Sequence, residues 1–309
     1  MPRLLLIANP LASGFTGATH REVLAVLSET YEVESVWPNG PEESGDASAK
    51  AAANGVEMVV AMGGDGVTHH VANGLVGTDS ALGLIPVGTT NVMSRILKLP
   101  SRPLAAAKFL AASPNTGRIP VARVESNGPG PRLSGYALFA AGIGLDAEIV
   151  QQAEATPHRK AWFGGLHYAR SATWLFLSRF RNRAATMRVT SADQRANAVA
   201  VLTQVHWPYT YFGRLPLRLT PAPAEGLSAL IVERATASRG VGLALTTAAG
   251  RGLDKIPGAT VWPSVGELTV EADPPALFQA DGELWGKLGE LRITNVPNAL
   301  LVAAPRADN

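Results

Sequence analysis

The chain of 309 residues is 46% hydrophobic and 17% charged, so it can bury a substantial core and is not intrinsically disordered. Its formal net charge of +2 argues against a dedicated nucleic-acid-binding protein, and the absence of cysteine excludes disulfides, zinc–thiolate centres and thiol nucleophiles. Residues 1–7 are too short an apolar run for a signal peptide, and the longest uncharged run, between Arg195 and Arg214, is interrupted by proline and glycine. We therefore expect a cytoplasmic protein of two domains without a membrane span.

The first third of the chain alternates short apolar runs with helical periodicity. Strands are predicted at residues 3–8, 31–37, 56–62 and 82–86, with an acidic loop at 38–45. Helices are predicted at about residues 18–30, 46–53, from 67 onward, 91–97 and 103–112. Repeated strand–helix units indicate a parallel sheet with helices on both faces, and such sheets bind ligands at the carboxyl ends of their strands.

A glycine-rich turn, Gly63-Gly64-Asp65-Gly66, links the strand at residues 56–62 to the following helix. Converging backbone N–H groups, the helix dipole and the missing Cβ atoms favour a bound phosphate. A carboxylate beside phosphate is expected where a divalent cation or a hydroxyl lies between the two groups. The turn therefore predicts phosphoryl transfer from a nucleotide, although an ordinary tight turn is the alternative for so short a motif.

Three loops should share the carboxyl edge of the predicted sheet. They are residues 9–14, 63–66 and 88–91, and each combines glycine with small polar side chains. This composition suits contacts to phosphate and ribose, whereas the alternative for each loop alone is a capped helix start.

The pattern changes at residues 113–118, where we place the boundary between domains 1–118 and 119–309. The last strand could pack back on the first domain. Strands are predicted at residues 119–125, 136–142, 186–190, 196–205, 215–220, 227–233, 266–271, 277–281, 289–294 and 300–304. Many short strands separated by Pro/Gly turns indicate an antiparallel β-sandwich or a partly closed barrel.

Residues 155–192 contain no acidic side chain, and within them residues 158–183 interleave arginine and lysine with aromatic residues. Residues 166–180 are predicted to be helical. This composition is typical of peripheral contact with anionic lipid headgroups. The alternative is a helix that packs its aromatic face on the second domain.

Further motifs follow the same order along the chain. They are Asn9, Pro10, Ser13 and Gly14; Val71, Asn73, Gly74 and Leu75 after the glycine turn; Pro86, Gly88, Thr89, Asn91 and Arg95; Gly144, Asp146 and Ala147; and residues 279–283, Gln-Ala-Asp-Gly-Glu. Together the motifs resemble the catalytic domain shared by diacylglycerol kinases, sphingosine kinases and bacterial soluble lipid kinases. The resemblance spans residues 9–283.

The chain departs from the family pattern at four places. Val67 replaces a frequent threonine, and Trp37 stands where bacterial members often have a nucleotide-contacting threonine. Glu225 resembles part of an element linked to a structural magnesium ion, but Ala229 lacks a carboxylate often found nearby.

The resemblance implies an α/β nucleotide-binding domain related to NAD kinases and phosphofructokinases, followed by a β-sandwich that holds the lipid, with the active site between them. It implies ATP and Mg²⁺ as cofactors. The implied ATP contacts are Asn9, Ser13, Gly14, Gly63, Gly64, Asp65, Gly66, Val67, Thr68, Gly88, Thr89 and Asn91, and the implied metal ligands are Asp65 and Glu225.

Asp281 is the predicted general base, with Asp65 as its rival, and Glu283 is expected to orient water or metal. Asp146 is expected to face the lipid headgroup. From the residues alone, Asp281-Gly282 also indicates a hairpin turn.

The resulting prediction is an ATP-dependent kinase that phosphorylates a lipid hydroxyl. Its predicted location is the cytoplasm or the inner face of the membrane as a peripheral protein. A homodimer is one predicted oligomeric state. Two alternatives stay open. One is a non-catalytic nucleotide- or lipid-binding protein of the same fold, and the other is a kinase of a soluble substrate such as NAD.

Overall fold

A computed structural model describes residues 1–126, 132–154, 183–213, 215–220, 225–234 and 258–305. The chain forms two compact units, which are Met1–Pro120 with Pro297–Asn309 (unit 1) and Val121–Val296 (unit 2). The predicted helix at residues 166–180, and all of the predicted membrane-contact segment except residue 183, lie outside the described residues.

Residues 3–111 of unit 1 form four parallel strands and five helices. In chain order they are β1 (Arg3–Ala8), α1 (Gly17–Leu27), β2 (Glu32–Val36), α2 (Pro41–Ala53), β3 (Met58–Gly63), α3 (Asp65–Leu75), β4 (Ala81–Pro86), α4 (Val92–Ile96) and α5 (Pro103–Ala111). The strand order is β4–β3–β1–β2 with parallel pairing throughout. Every residue of β3 and β4 is buried, as expected for strands covered on both faces.

Helix α2 begins earlier than the sequence analysis predicts. Residues 41–45 were expected in a loop, but the helix starts at Pro41 and carries Glu42 and Glu43 in its first turn. Proline needs no backbone donor at the first helical position, and acidic side chains there complement the helix dipole. The acidic composition was therefore a helix-start signal.

Unit 2 is predominantly antiparallel. Its elements are the end of β5 (Thr116–Glu125), β6 (Ser134–Ala137), β7 (Ala140–Gly144), α6 (Leu145–Glu154), β8 (Met187–Ser191), β9 (Gln194–Ala198), β10 (Ala200–Gln204), β11 (Thr210–Phe212), β12 (Leu215–Leu217), β13 (Leu227–Val232), β14 (Ala259–Val265), β15 (Glu267–Ala280) and most of β16 (Glu283–Ala303). The strands follow the order β14–β13–β10–β7–β15–β16, and each neighbouring pair is antiparallel. The predicted fold class, an α/β part with parallel strands followed by an antiparallel part, is confirmed.

Several strand predictions in the second half of the chain are wrong in detail. The strands predicted at residues 266–271 and 277–281 are one strand, β15, and those predicted at residues 289–294 and 300–304 are parts of one strand, β16. The predicted strand at residues 196–205 is two strands, β9 and β10, and residues 145–154 form the helix α6, which was not predicted. Helix α6 follows directly after β7. The apolar residues at the start of the helix therefore continue the apolar pattern of the strand, and the sequence gives no separate helix signal.

Strand β16 starts in unit 2, and its residues from Pro297 onward group with unit 1. There Val302 pairs in parallel with Leu82 of β4. Leu300, Val302 and Ala303 are buried at 0%, 1% and 0% exposure. Unit 1 is therefore completed by the end of the chain.

None of the helices in the described part of the chain combines the length and apolar character needed to cross a bilayer.

Candidate functional site

The three predicted loops come together at the carboxyl edge of the unit 1 sheet. The Gly14 N–H donates to the Val87 carbonyl at 2.8 Å, and the hydroxyls of Ser13 and Thr89 lie 3.3 Å apart. The first loop is also anchored to β3, because the Asn9 N–H donates to the Met62 carbonyl at 3.0 Å. The edge is thus a continuous surface of backbone and small polar groups.

The second and third loops touch through their glycines. A Cβ atom built on Gly88 would lie 2.5 Å from the Gly64 Cα, a distance that real Cβ contacts do not reach. The Val87 N–H also donates to the Gly63 carbonyl at 3.0 Å. Only glycine at position 88 allows this approach of the two backbones.

Helix α3 begins at this edge with Asp65, after Gly64 in the extended N-cap position. Gly64 provides no side-chain cap, and the first N–H groups of a helix have no acceptor within the helix. These N–H groups lie next to the close Gly64–Gly88 contact, where a Cβ atom on Gly88 would collide with the Gly64 backbone. The residues present therefore fit a bound phosphate chain.

Two of the predicted ATP contacts also have structural roles. The Thr68 hydroxyl is buried and donates to the Gly64 carbonyl at 3.1 Å. The Asn91 side chain accepts from the Gly88 N–H at 3.0 Å and donates to the Gly88 carbonyl at 2.8 Å. Asn91 itself has a positive φ of 50°, so it fixes the shape of the third loop.

Asp65 lies partly buried at the start of α3, and its Oδ1 is 3.5 Å from the Met93 nitrogen. No group of three or more His, Asp or Glu side chains in the described ranges could hold a metal ion. Magnesium commonly takes one or two protein carboxylates together with substrate phosphates. Asp65 fits that kind of site, whereas Glu225 is exposed.

An aromatic cluster follows the end of β2. Trp37 is 51% exposed and packs edge-on against Phe15 and His20, with ring centroids 5.7 and 5.2 Å away. Its indole N–H donates to His20 Nε2 at 3.3 Å, and the Ser35 hydroxyl lies 3.0 Å from the same nitrogen. Burial, and secondarily the charge of Arg21, lowers the pKa of His20. The position that often carries threonine in the family is thus part of an ordered aromatic cluster.

In unit 2, Asp281 lies in the two-residue turn between β15 and β16. Ala280 pairs with Glu283, and Asp281 and Gly282 have φ angles of 53° and 89°, as a type I′ hairpin turn requires. The hairpin interpretation is therefore correct. The strand predicted at residues 277–281 therefore ends one residue early, at Ala280, and Asp281 lies in the turn.

The Asp281 carboxylate is buried against three successive backbone N–H groups. Leu138 donates to Oδ2 at 2.7 Å, and Phe139 and Ala140 donate to Oδ1 at 2.9 and 3.1 Å. The Asp281 N–H in turn donates to the Ala140 carbonyl at 2.8 Å. Successive N–H groups form an anion-binding nest, which fixes the orientation of this carboxylate.

Asp146 belongs to a second polar group in unit 2. Its Oδ2 accepts from the Tyr209 hydroxyl at 2.7 Å and from Gln279 Nε2 at 2.5 Å. Burial raises the pKa of Asp146, and the two donated hydrogen bonds oppose that shift. Burial and then the charge of Asp146 raise the pKa of Tyr209 well above its ordinary value, so the phenol stays protonated as a donor.

The motif residues of unit 1 match a known family. Residues 3–124 match the family model described as "Diacylglycerol kinase catalytic domain". These residues are therefore similar to that catalytic domain, and the predicted resemblance to the family is confirmed.

Curated relatives of the chain are named as kinases of the same kind. The chain is 28% identical over 127 residues to a diacylglycerol kinase of Mycobacterium tuberculosis (strain CDC 1551 / Oshkosh), covering 40% of this chain and 41% of that protein. It is 33% identical over 176 residues to the "Probable lipid kinase YegS-like" of Klebsiella pneumoniae (strain 342), covering 54% and 53%. In these matches the chain spans only about half or less of each relative's length.

Solved structures share the fold over almost the whole chain. A diacylglycerol kinase from Bacillus anthracis str. Sterne superposes with a TM-score of 0.70 at 17% identity, covering 98% of this chain and 96% of that chain. An NAD kinase from Archaeoglobus fulgidus in complex with ATP gives a TM-score of 0.55 at 13% identity, covering 98% and 94%. The predicted relation of the fold to NAD kinases is confirmed.

No pattern in the sequence indicates a role for Tyr209, for the Gln279 side chain or for the backbone of residues 138–140. Tyr209 is 63 residues from Asp146, and Asp281 is more than 140 residues from the N–H groups it accepts. Gln279 belongs to the motif at residues 279–283, and this motif was the one sequence signal that pointed to any of these groups.

Proposed function

We propose that this protein is an ATP- and Mg²⁺-dependent lipid kinase that transfers the γ-phosphoryl group to a lipid hydroxyl. The observation that carries the proposal is the glycine-lined edge of unit 1, where Gly14, Gly64 and Gly88 bring three loops together. The match of residues 3–124 to a kinase catalytic domain supports it.

Phosphoryl transfer requires chiefly positioning and neutralisation of charge. The backbone N–H groups at residues 63–67 would bind the phosphates, while Ser13 and Thr89 would contact phosphate or ribose. Asp65 would hold Mg²⁺, which supplies positive charge to the phosphate oxygens. Glu225 would hold the metal of a second site, and its side chain is exposed to solvent.

In the reaction the lipid hydroxyl oxygen attacks the γ-phosphorus, the bond from that phosphorus to the bridging oxygen of ADP breaks, and the hydroxyl proton passes to a carboxylate. Asp281 is our proposed base, since the backbone of residues 138–140 fixes its direction. Asp65 is the rival base. Glu283, the first residue of β16, would orient water or metal.

The molecule that accepts the phosphoryl group distinguishes a lipid kinase from a kinase of a soluble substrate. The named lipid and diacylglycerol kinases among the relatives favour a lipid, whereas the structural similarity to NAD kinases also suits a soluble acceptor. The basic aromatic composition of residues 158–183 favours contact with an anionic membrane surface.

The first experiment is transfer of labelled γ-phosphate from Mg²⁺-ATP to a panel of lipids in mixed micelles, with NAD as the soluble acceptor. We expect one lipid class to be phosphorylated. Labelled NAD instead of lipid would select the soluble-substrate alternative, and ATP binding without transfer would select the non-catalytic one. Salt-sensitive binding to liposomes that contain anionic lipid, compared with neutral liposomes, tests the membrane contact separately.

Asp281→Asn and Asp65→Asn, compared in the same assay, assign the base. We expect Asp281→Asn to lower kcat on the order of a hundredfold or more. Activity that survives this change but is lost in Asp65→Asn would transfer the role to Asp65.

A further inference from the structure

Gln279 connects the Asp146 group to the turn that carries Asp281. The Gln279 Oε1 atom accepts from the Gly282 N–H at 2.8 Å, while Gln279 Nε2 donates to Asp146 Oδ2 at 2.5 Å. The same Nε2 lies 3.3 Å from the Tyr209 hydroxyl. One side-chain amide therefore joins a carboxylate on α6 to the backbone of the β15–β16 turn.

The direction of the Gln279 amide is set by Asp146. A carboxylate can only accept, so it holds the NH₂ end of the amide, and the carbonyl end must then face Gly282. If the amide turned over, its NH₂ would face the Gly282 N–H and its oxygen would face the carboxylate. Each contact would become repulsive, so one orientation is specified.

The packing encloses the Asp146 carboxylate closely. A Cβ atom built on Gly142, the β7 residue that pairs with Gln279, would lie 1.8 Å from Asp146 Oδ2. Tyr209 and Gln279 are each only 3% exposed. The oxygen is thus held between a glycine backbone and two buried donors.

We infer that Asp146, acting through Gln279, is a positioning residue for the Asp281–Gly282 turn, and that its carboxylate does not serve as a contact to the lipid. This inference rests on the proposed function for its kinetic part only. Tyr209 and Gln279 belong to the same hydrogen-bonded group. This group fixes the position of the Gly282 N–H and therefore that of Asp281.

The test exchanges donor and acceptor between two positions in the full-length protein. In Asp146→Asn, an NH₂ group takes the place of one carboxylate oxygen, so two donors can face each other at Gln279 Nε2. The Gln279 amide then turns over for part of the time, and the Gly282 N–H loses its acceptor. In the double variant Asp146→Asn/Gln279→Glu, the Asn amide donates to the Glu carboxylate, and the second Glu oxygen again accepts from Gly282. The double variant also retains the total charge.

Two readouts are measured on each variant, which are the hydrogen-exchange rate of the Gly282 amide and the steady-state constants for the phosphorylated lipid. We expect Asp146→Asn to speed exchange and to lower kcat on the order of tenfold to a hundredfold with little change in the KM for lipid, as misplacement of a catalytic group does. The double variant should recover much of both. Tyr209→Phe, which removes one donor and keeps the ring, should change both readouts in the same direction by less.

A raised lipid KM at unchanged kcat in Asp146→Asn, with unaltered Gly282 exchange, would overturn the inference in favour of a substrate contact. So would a double variant no better than the single one by either readout. If Asp146→Asn does not fold, the double variant and Tyr209→Phe decide alone. Hydrogen exchange needs no turnover, so a wild type that phosphorylates no lipid would refute the proposed function and leave the positioning test intact.

Discussion

At the scale of single residues, Gly88 is the position where the carboxyl edge of the unit 1 sheet tolerates least change. An alanine Cβ there would meet the Gly64 Cα at 2.5 Å, so the two loops would have to separate. We expect Gly88→Ala to weaken ATP binding by about tenfold or more, because the cradle for the phosphates depends on this approach. Isothermal titration with Mg²⁺-ATP, or the KM for ATP, measures the change.

Gly117→Ala is the matched control, since a Cβ at Gly117 would meet nothing within 4 Å. Its ATP affinity should equal that of the wild type. Equal affinity of the Gly88→Ala variant would show that the nucleotide does not use this edge.

His20 predicts a pH dependence of stability. An indole N–H can only donate, so His20 Nε2 is unprotonated when it accepts from Trp37. The pKa of His20 in the folded state lies below the ordinary histidine value of about 6.5, so below about pH 6.5 the unfolded chain takes up a proton that the folded chain does not. The free energy of unfolding should therefore fall as the pH drops from about 6.5 to the folded-state pKa.

The measurement is urea unfolding between pH 5 and 7 on wild type and His20→Gln, which keeps a side-chain acceptor but cannot titrate. The difference between the free energies of unfolding of the two proteins should change by at most about 1.4 kcal/mol per pH unit. The wild type should lose more stability on acidification. Identical slopes would mean that His20 is protonated equally in both states.

At the scale of secondary-structure elements, the β15–β16 hairpin and residues 138–140 depend on one side chain. Asp281→Asn keeps a residue that tolerates positive φ, but it replaces one carboxylate oxygen with a donor that faces buried N–H groups. We expect the free energy of unfolding to fall by about 1–3 kcal/mol. Urea denaturation followed by circular dichroism gives this value, and the kinetic test of Asp281 must be run well below the melting temperature of the variant.

Asp193→Asn provides the control, because Asp193 lies exposed in the turn between β8 and β9. Its effect should stay within about 0.5 kcal/mol. A loss at Asp281 no larger than that at Asp193 would show that the three hydrogen bonds contribute little in solution.

At the scale of the whole molecule, unit 1 is made from two distant parts of the chain. Leu300, near the end of β16, is fully buried in unit 1. Leu300→Ala should lower the stability of unit 1 by about 2–5 kcal/mol through lost burial and the remaining cavity. Chemical denaturation, with hydrogen exchange of β3 and β4 to localise the effect, tests this.

Leu215 is 48% exposed and serves as the comparison. Leu215→Ala should change stability by less than about 0.5 kcal/mol. If Leu300→Ala were equally mild, the C-terminal strand would be dispensable for unit 1.

The sequence by itself determined the local features of this protein. The alternation of buried strands and helices, the three glycine loops and the Asp-Gly turn are each encoded within a few neighbouring residues, because strand and helix periodicity and turn chemistry are local properties. A parallel sheet then brings the loops at residues 9–14, 63–66 and 88–91 to one edge, so that part of the candidate site was predictable. The start of α2 was missed although its proline and glutamate signals were present.

Only the tertiary structure decided which distant groups meet. Asp281 lies against the backbone of residues 138–140, Gln279 lies against Asp146, and residues 297–305 return to β4 in unit 1. The sequence pattern of a strand says which face is buried but not which strand lies beside it, since pairing depends on the packing of the whole chain. For that reason the sequence named Asp146 and Asp281 as candidate residues, while the structure showed that the Gln279 amide links Asp146 to the turn that carries Asp281.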